Sequence, residues 1–388
     1  MKTPRSWLRA ALGVAALGAG MSLASALSRP TECAFAYLAA FAFLSSTVAG
    51  GLALLALMHA VGARWFVALR RMGLTLATPA LFLPVLFVPI ALTLHVVYPW
   101  AGSSLVSAQA IAQARRAQAF GHVWMSPGPF LFRAGLYLFV WLAIAEALCR
   151  AGRGQERGRF AWLHRHRAAI GAVALPALAL SGTWAAFDWF MSAVPEWNMT
   201  SVGLYVLTGG FASALGVLAV LAHFARLHGI LPKEVGAAHS SALGRLLFAA
   251  LCLWAYVAVS QLIIAWSANL PREAAFYVPR GRGAWRYLAA LLMFGHFVAP
   301  FLLLLSRSWK QRSGFVAGLG AWLVVMHVVD MYWLIEPSAG CAPRALDIGP
   351  FLLLGALSLV VGIVRSPSQG AAAIADGELA RSLGYESP

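Results

Sequence analysis

Two titratable side chains lie three residues apart within one of the most apolar stretches of this sequence. His327 and Asp330 occur in GLGAWLVVMHVVDMYWLI, and residues at this spacing share one face of a helix. Imidazole exchanges protons near neutral pH, and a carboxylate does so when burial disfavours its ionised form. Charged groups in such apolar surroundings are costly and usually functional. The pair is therefore a candidate for proton exchange, and hydrogen bonding between helices is the structural alternative.

Three further titratable residues interrupt apolar segments. Counting about 1.5 Å per residue along a helix, His296 falls near the middle of its segment and Asp188 about 6 Å from the outer end of its own. Glu146 falls about 5 Å from the inner end of another segment. These depths predict half of a proton path through His296, His327 and Asp330, with Glu146 at its cytoplasmic entrance. Asp188 is a further candidate for proton exchange, near the outer surface.

An outer cavity is predicted around Asp188. Arg133 falls at a similar outer depth on the preceding apolar segment, so the two side chains are expected to pair. The pair either holds two helices together or borders a cavity in which protons exchange. Trp184, Trp189 and Trp197 would line a quinone-sized slot there, although tryptophans at this level also serve as interfacial anchors. The candidate residues of the cavity are Arg133, Trp184, Trp189, Trp254 and Gln261.

The four cysteines provide no ligand set for a redox centre. They form neither a CxxC nor a CxxCH motif, so neither an iron–sulfur site nor covalent haem is expected. Bis-histidine haem needs two imidazoles at one depth on facing helices, and only His296 with His327 meets that condition. The sequence therefore predicts no metal site and does not favour haem. Cys33 and Cys341 both fall on the outer side, where they would either form a disulfide or stay as two free thiols.

Ten long apolar runs must position these side chains. The chain of 388 residues is 61% hydrophobic and only 11% charged, with a mean hydropathy of +0.76. A run of about 20 apolar residues spans a bilayer, and such runs cross it as helices. The sequence therefore predicts an all-α integral membrane protein of about ten transmembrane helices. The runs cover about 7–27, 34–60, 73–97, 128–149, 168–192, 200–225, 243–268, 286–306, 314–335 and 346–365.

The positive charge is distributed as in a membrane protein. Most of the 29 Lys and Arg residues fall on the side that holds the N-terminus, which the positive-inside rule assigns to the cytoplasm. Both termini are therefore predicted in the cytoplasm, in a bacterial cytoplasmic membrane. The densest basic cluster, RAGRGQERGRFAWLHRHR at 150–167, is expected to contact anionic lipid headgroups, with a protein partner as the alternative. The net charge of +16 thus does not indicate a nucleic-acid partner.

The first apolar run has two interpretations. It follows a basic head and contains Ala24-Ser25-Ala26, the pattern of a signal-peptide cleavage site. Because its apolar part is about 20 residues long, longer than the core of a usual signal peptide, we expect a retained first helix. Cleavage of residues 1–26 is the alternative.

Three strings of the sequence carry a resemblance to a known family. They are AAFDWFMSAVPEWNMTSVGLYVLTGGFASAL (185–215), LGRLLFAALCLWAYVAVSQLIIAWSANLPREAAFY (243–277) and MSPGPFLFRAGLYLFVW (125–141). Together they resemble the larger NrfD-like membrane subunits of the polysulfide reductase C superfamily. In particular, they resemble the second quinone-binding-type subunit of alternative complex III, a bacterial quinol:cytochrome c oxidoreductase. The resemblance covers the second to the ninth predicted helix.

The resemblance implies both an architecture and a set of partners. The central eight helices would form two four-helix bundles, at 33–192 and 193–336, flanked by a first helix at 1–32 and a last helix with a short tail at 337–388. Iron–sulfur and multihaem cytochrome c subunits and a related NrfD-like sister subunit would carry the electrons. This subunit would contact quinone (menaquinone or ubiquinone) or provide a proton path, without a redox centre of its own.

The sequence departs from the family pattern at the outer mouth, and other functions stay open. Val194, Pro195 and Glu196 follow MS where the family has an acidic residue, Pro and His, and Arg272 follows ANLP where the family tends to be acidic. The detailed proton chemistry of that mouth therefore does not carry over. One alternative is an NrfD-like membrane anchor of a polysulfide- or nitrite-type reductase. Others are a secondary transporter with a midplane site and a purely structural scaffold.

Overall fold

The computed structural model describes residues 5–102, 124–153, 161–194, 199–365, 379 and 382–385. All regular structure in these ranges is helical, and ten helices are long and apolar enough to cross a membrane. This confirms the predicted all-α integral membrane fold. The ten spans are Ser6–Ser28 (α1), Pro30–Ala60 (α2), Arg64–Leu92 (α3), Pro127–Gly152 (α4), Arg167–Ala193 (α5), Val202–Leu227 (α6), Ala237–Ala268 (α7), Trp285–Leu305 (α8), Ser313–Ala339 (α9) and Ala345–Arg365 (α10).

Shorter helical segments connect the spans. They are Leu94–Val97, Pro99–Ala101, Ala161–Arg165, Pro271–Arg280 and Arg307–Lys310. Residues 103–123 lie outside the described part of the chain. The same holds for part of the basic cluster at 150–167, for Glu196 and Trp197, and for the side chain of Arg272.

The centre of the molecule is the pair of helices α2 and α6. Helix α2 is buried along most of its length and contacts α3, α4 and α5 as well as α6, α9 and α10. The backbones of α2 and α6 touch, because a Cβ atom at Gly210 would lie 2.1 Å from the carbonyl oxygen of Ser46. Small residues allow this close approach in membrane helices, where van der Waals packing holds helices together. Helix α2, which was assigned to the first predicted bundle, thus contacts helices of both bundles. The division into two bundles stays a prediction.

The remaining helices surround this pair. Helix α4 packs on α5, helix α7 packs on α6, and α8 packs on α7 and α9. Helix α9 lies along α6, and the first and last spans, α1 and α10, pack on each other. Buried side chains of α6, α7, α8 and α9 therefore converge on one another, and α2 closes the space from the other side.

Two spans are interrupted, each beside prolines. In α3, an α-helix at Arg70–Ala77 gives way to a 3₁₀ turn at Thr78–Leu81 before the helix resumes at Leu83–Leu92. Pro79, Pro84 and Pro89 lack the N–H that a regular helix needs, which accounts for the distortion of this span. In α8, a π-helical turn at Leu292–Val298 contains His296 and precedes Pro300. Such turns occur often at functional sites.

The described part of the C-terminal tail folds back onto the end of the molecule where α7 begins. Ser382 is fully buried there, and its Oγ accepts a hydrogen bond from the backbone N–H of Ala68 at 3.2 Å. The carbonyl oxygen of Ser382 accepts a hydrogen bond from Nε2 of His239 at 3.1 Å. The tail thereby joins the beginning of α3 to the start of α7.

Candidate functional site

A buried carboxylate lies where α6, α7 and α9 meet. Asp330 on α9 has no exposed surface. Tyr205 on α6 donates a hydrogen bond from its hydroxyl to one oxygen of this carboxylate. Trp254 on α7 donates its indole N–H to the other oxygen at 3.1 Å. Both oxygens of Asp330 are therefore held by neutral donors.

His327 is the titratable neighbour of Asp330 on the same helix. Its Nδ1 lies 3.8 Å from the carboxylate oxygen that Trp254 contacts, as the i, i+3 spacing predicts. Its Nε2 lies 2.9 Å from the hydroxyl oxygen of Ser46 on α2. The ring is fully buried, and Nδ1 has no hydrogen-bond partner in the structure.

The hydrogen bonds of Ser46 assign the hydrogens of His327. The hydroxyl of Ser46 lies 3.1 Å from the carbonyl oxygen of Phe43, which can only accept, so the hydroxyl donates there. The oxygen of Ser46 then accepts from Nε2 of His327, which carries the hydrogen of the neutral ring. Nδ1 therefore faces Asp330 with a lone pair. Two lone pairs that face each other repel unless a proton lies between them.

His296 completes the cluster from α8. Its ring stacks on that of Trp254, with 3.9 Å between ring centroids and 27° between ring planes. The imidazole is 1% exposed, and its Nδ1 has no hydrogen-bond partner. Trp254 thus contacts His296 through its face and Asp330 through its edge. The three residues that depth predicted to lie together, His296, His327 and Asp330, are brought together by the fold.

Gly209 on α6 provides the space for these rings. A Cβ atom at this position would lie 2.9 Å from Cε1 of His327 and 3.3 Å from Cδ1 of Trp254. Contacts below 3.0 Å are closer than van der Waals packing permits, so the imidazole would have to shift. The absence of a side chain at Gly209 is therefore a requirement of the cluster.

Asp188, the other buried aspartate of the prediction, has a permanent countercharge. Arg133 donates from Nε at 2.7 Å to one carboxylate oxygen and from Nη2 at 3.1 Å to the other. Tyr137 adds a hydrogen bond at 2.9 Å, and the guanidinium of Arg133 also stacks on Trp124. The predicted pairing of Asp188 with Arg133 is thus present. In contrast, no Lys or Arg among the described residues forms an ion pair with Asp330.

The predicted tryptophan slot is not formed by Trp184 and Trp189. Trp189 is fully buried among aromatic rings that include Phe41 and Trp141, whereas Trp184 is 47% exposed and contacts Trp124. Five helical residues turn the side chain by about 140°, which directs the two indoles to different faces of α5. The prediction that both line one slot is therefore wrong.

A phenol fixes the end of α5 beside Trp189. Tyr98, which lies outside the spans, donates its hydroxyl to the backbone carbonyl of Trp189 at 2.9 Å. Burial, and to a lesser degree the charge of Asp188, raises the pKa of Tyr98 well above its usual range. The phenol is therefore a neutral donor at any physiological pH.

Glu146 and Gln261 lie apart from the Asp330 cluster. The carboxylate of Glu146 is 48% exposed and pairs with Arg150 at 2.6 Å, so its side chain does not reach toward the cluster. Gln261 lies about two turns beyond Trp254 on the same face of α7. It accepts a hydrogen bond at 3.0 Å from Ser201, at the start of α6. Of the predicted cavity residues, only Trp254 contacts Asp330.

A second buried carboxylate lies toward the C-terminal end of α9 and was not among the predicted site residues. Glu336 has no exposed surface, and one of its oxygens has no hydrogen-bond partner. Its other oxygen accepts only a weak hydrogen bond from the thiol of Cys341 at 3.7 Å. Burial, and next the charge of Glu336, raises the pKa of the Cys341 thiol to about 12. Cys33 and Cys341 are free thiols in the structure, so they do not form the disulfide that was one of the two alternatives.

An ion network borders Glu336. Arg344 contacts Glu32 at the start of α2 at 2.6 Å and Asp347 at the start of α10 at 2.9 Å. Tyr332 donates its hydroxyl to Asp347 at 2.7 Å. The network therefore ties the start of α2, the end of α9 and the start of α10 to one another.

Sequence reasoning missed Tyr205 and Ser46 because both are uncharged and lie in apolar helices. Their positions relative to Asp330 and His327 depend on helix packing, which the sequence does not specify. Within the described ranges, no group of three or more His, Cys, Asp or Glu side chains could hold a metal ion.

No family model matches the chain, and a search of curated proteins found no match.

Proposed function

We propose that this chain is an integral membrane subunit of a quinol-oxidising respiratory complex of the alternative complex III type, and that Asp330 and His327 exchange protons within it. The proposal places the chain in a bacterial cytoplasmic membrane with both termini in the cytoplasm. Its partners would be iron–sulfur and multihaem cytochrome c subunits and a related NrfD-like sister subunit. The chain itself would carry no redox centre.

The observation that carries the proposal is the charge environment of Asp330. Its carboxylate is fully buried, receives hydrogen bonds from two neutral donors and forms no ion pair with a permanent cation within the described residues. Among the described residues, His327 alone lies within 4 Å of it as a basic partner, and an imidazole carries a charge only when it is protonated. The charge of this pair therefore depends on a mobile proton, whereas Arg133 fixes the charge of Asp188. Ionisable residues within membrane spans mark proton relays in many membrane proteins.

Contact with quinone is supported by the position of His296. It lies on the π-helical turn of α8, whose neighbouring side chains Met293 and Phe294 are 62% and 59% exposed on the surface of the bundle. Oxidation of a quinol releases two protons together with two electrons. On this turn, His296 offers an unpartnered Nδ1 as a hydrogen-bond acceptor, and its ring stacks on Trp254, whose indole N–H contacts Asp330. The quinone would be menaquinone or ubiquinone.

Purification from native membranes in a mild detergent tests the proposal. We expect the chain to co-purify with iron–sulfur and multihaem cytochrome c subunits, and the sample to show a c-type haem spectrum. The quinol:cytochrome c reductase activity of this sample would then be measured with and without the Asp330→Asn substitution. A homogeneous, colourless preparation without partner subunits would contradict the proposal.

The same purification separates the alternatives. Co-purification with a molybdopterin-type catalytic subunit would instead favour an NrfD-like anchor of a polysulfide or nitrite reductase. A partner-free protein would favour a secondary transporter. Against the transporter, the interrupted spans α3 and α8 are the second helix of one predicted bundle and the third of the other. Transporters with internal repeats break corresponding helices of their halves.

A further inference from the structure

A cavity lies at the predicted cytoplasmic end of the bundle, where α6 ends and α7 and α9 begin. It encloses about 360 Å³, including its open mouth. Its walls combine apolar side chains with a set of potential donors from three helices. The polar residues that line it are His223 and Arg226 of α6, His239 and Ser240 of α7, and Ser313 of α9. Among the described residues that line it, none is acidic.

Two helix N-termini meet at this cavity. Helix α7 begins at Ala237 after Gly236, and α9 begins at Ser313 after Arg312. Neither N-terminus has a side-chain cap. The first N–H groups of a helix have no partner within the helix, and the helix dipole adds a partial positive charge there. This combination favours an anion.

His239 is a buried polar side chain with an unused nitrogen at the cavity. The residue is 2% exposed. Its Nε2 donates to the carbonyl oxygen of Ser382, so Nδ1 carries the lone pair of the neutral ring. Nδ1 has no hydrogen-bond partner in the structure.

Arg226 and His223 add donors on the α6 side. Arg226 is exposed at the cavity and forms no ion pair with the described acidic residues. Nδ1 of His223 lies 3.2 Å from the hydroxyl of Ser313, which can donate to it and leave the hydrogen of the ring on Nε2. An arginine, an imidazole N–H and two uncapped helix starts therefore surround one space.

We propose that this cavity binds a phosphate-type oxyanion, either the phosphodiester of an anionic lipid headgroup or free phosphate. Arginine and helix N-termini are the groups that recognise phosphate oxygens in proteins. The position of the cavity at the end of three spans places it at the level of lipid headgroups. The proposal is independent of the quinol-related function, because the cavity lies at the opposite end of α6 from Tyr205.

The test uses the full chain in a neutral detergent and follows thermal unfolding while a ligand is added. The two probes are dioleoylphosphatidylglycerol, compared with dioleoylphosphatidylcholine, and inorganic phosphate. The variant is Arg226→Gln. Its matched control is Lys233→Gln, which removes the same charge from an exposed site in the following loop that does not line the cavity.

We expect phosphatidylglycerol to raise the unfolding temperature of the wild type and of Lys233→Gln in a saturable manner. Arg226→Gln should need about tenfold more of it, because a charge-assisted hydrogen bond to the phosphate is lost. If inorganic phosphate alone gives the same difference between the variants, the ligand is a free oxyanion. If neither probe distinguishes Arg226→Gln from Lys233→Gln, the proposal is overturned.

Discussion

The indole of Trp254 stacks on the imidazole of His296 with 3.9 Å between ring centroids, and its N–H points away from that ring to the carboxylate of Asp330. One side chain therefore contacts two titratable groups that come from different helices. A change of charge at Asp330 alters the hydrogen bond of the indole, and a change of charge at His296 alters its stacking. Trp254 is thus the physical connection between the two groups.

Replacing Trp254 by Phe should change the ionisation of Asp330 while an aromatic ring still faces His296. The ionised carboxylate loses one of its two donors, so its protonated form becomes more populated. The carboxylic-acid C=O stretch of Asp330, identified by its loss in Asp330→Asn, should grow in the infrared spectrum of the variant. Trp184→Phe, at an exposed tryptophan of α5, is the control. An unchanged band would show that the indole N–H does not influence the carboxylate.

Neutralising each of the two buried aspartates should lower the stability of the protein by a different amount. Asp188→Asn leaves the buried guanidinium of Arg133 without its countercharge, which costs about 3–5 kcal/mol of stability. Asp330→Asn leaves no permanent charge unpaired, and we expect a loss of about 1–2 kcal/mol. Thermal unfolding in detergent measures both. Equal losses, or a larger loss for Asp330→Asn, would contradict the assignment of a fixed charge to Asp188 alone.

Proton release should distinguish Asp330→Asn from Glu146→Gln in the assembled complex. In proteoliposomes, Asp330→Asn should abolish or strongly reduce the protons released per quinol oxidised through this subunit, because the amide cannot exchange a proton. Glu146→Gln should leave this stoichiometry unchanged, since its carboxylate is paired with Arg150 at an exposed site. A pH-sensitive dye outside the vesicles gives the measurement. A coupling loss in Glu146→Gln but not in Asp330→Asn would reverse the assignment.

Gly209→Ala should disturb the cluster without adding a polar group. Its Cβ would approach Cε1 of His327 to 2.9 Å, so the imidazole must move away from Ser46 or from Asp330. Overpacking of this kind costs about 1–3 kcal/mol. Gly135→Ala on α4, where an added Cβ meets no atom within 4 Å, is the control and should unfold at or slightly above the wild-type temperature. Similar unfolding temperatures for both variants would contradict the tight fit at Gly209.

Cys341 should react slowly with maleimides at pH 8. Burial, together with the neighbouring Glu336, raises the pKa of its thiol to about 12, and only the thiolate is nucleophilic. We expect a rate at least about a hundredfold below that of an unperturbed cysteine, whose pKa is about 8.5. The measurement requires a variant in which the other three cysteines are serine. Glu336→Gln should accelerate the reaction, and an unchanged rate would show that the charge of Glu336 has no influence.

The raised pKa of the Cys341 thiol also affects the stability of the protein at high pH. The folded protein holds the proton of Cys341 more tightly than the unfolded chain, whose thiol titrates near pH 8.5. This contribution is complete below about pH 8.5 and is lost progressively as the pH rises toward about 12. Replacing Cys341 by Ser should therefore flatten the decline of the unfolding temperature above pH 9. An equally steep decline in the variant would contradict this origin.

The sequence predicts the spans and part of the cluster for identifiable reasons. Each apolar run is long enough to define a helix, and the i, i+3 spacing places His327 beside Asp330. The depth of His296 in its span brings it to the same level. Tyr205 and Ser46, in contrast, complete the cluster from helices whose rotation about their axes depends on packing at Gly209 and Gly210.

Other parts of the site could not be predicted from composition and depth. Glu336 follows the apolar run of α9 and therefore has the sequence character of a loop residue, although it is completely buried in the fold.

The directions of Trp184 and Trp189, in contrast, follow from helical geometry alone, and their spacing already excludes a shared slot. The pairing of Glu146 with Arg150 is likewise readable as an i, i+4 contact.

The close contact between α2 and α6 also has a consequence for the orientation of His327. Ser46, which sets the tautomer of His327, belongs to the helix whose backbone touches Gly210. Sliding of α2 along α6 would lengthen the hydrogen bond between Ser46 and His327 and free the ring to exchange the roles of its two nitrogens. A fixed contact between α2 and α6 therefore maintains the hydrogen bond between Ser46 and His327, and with it the orientation of Nδ1 toward Asp330.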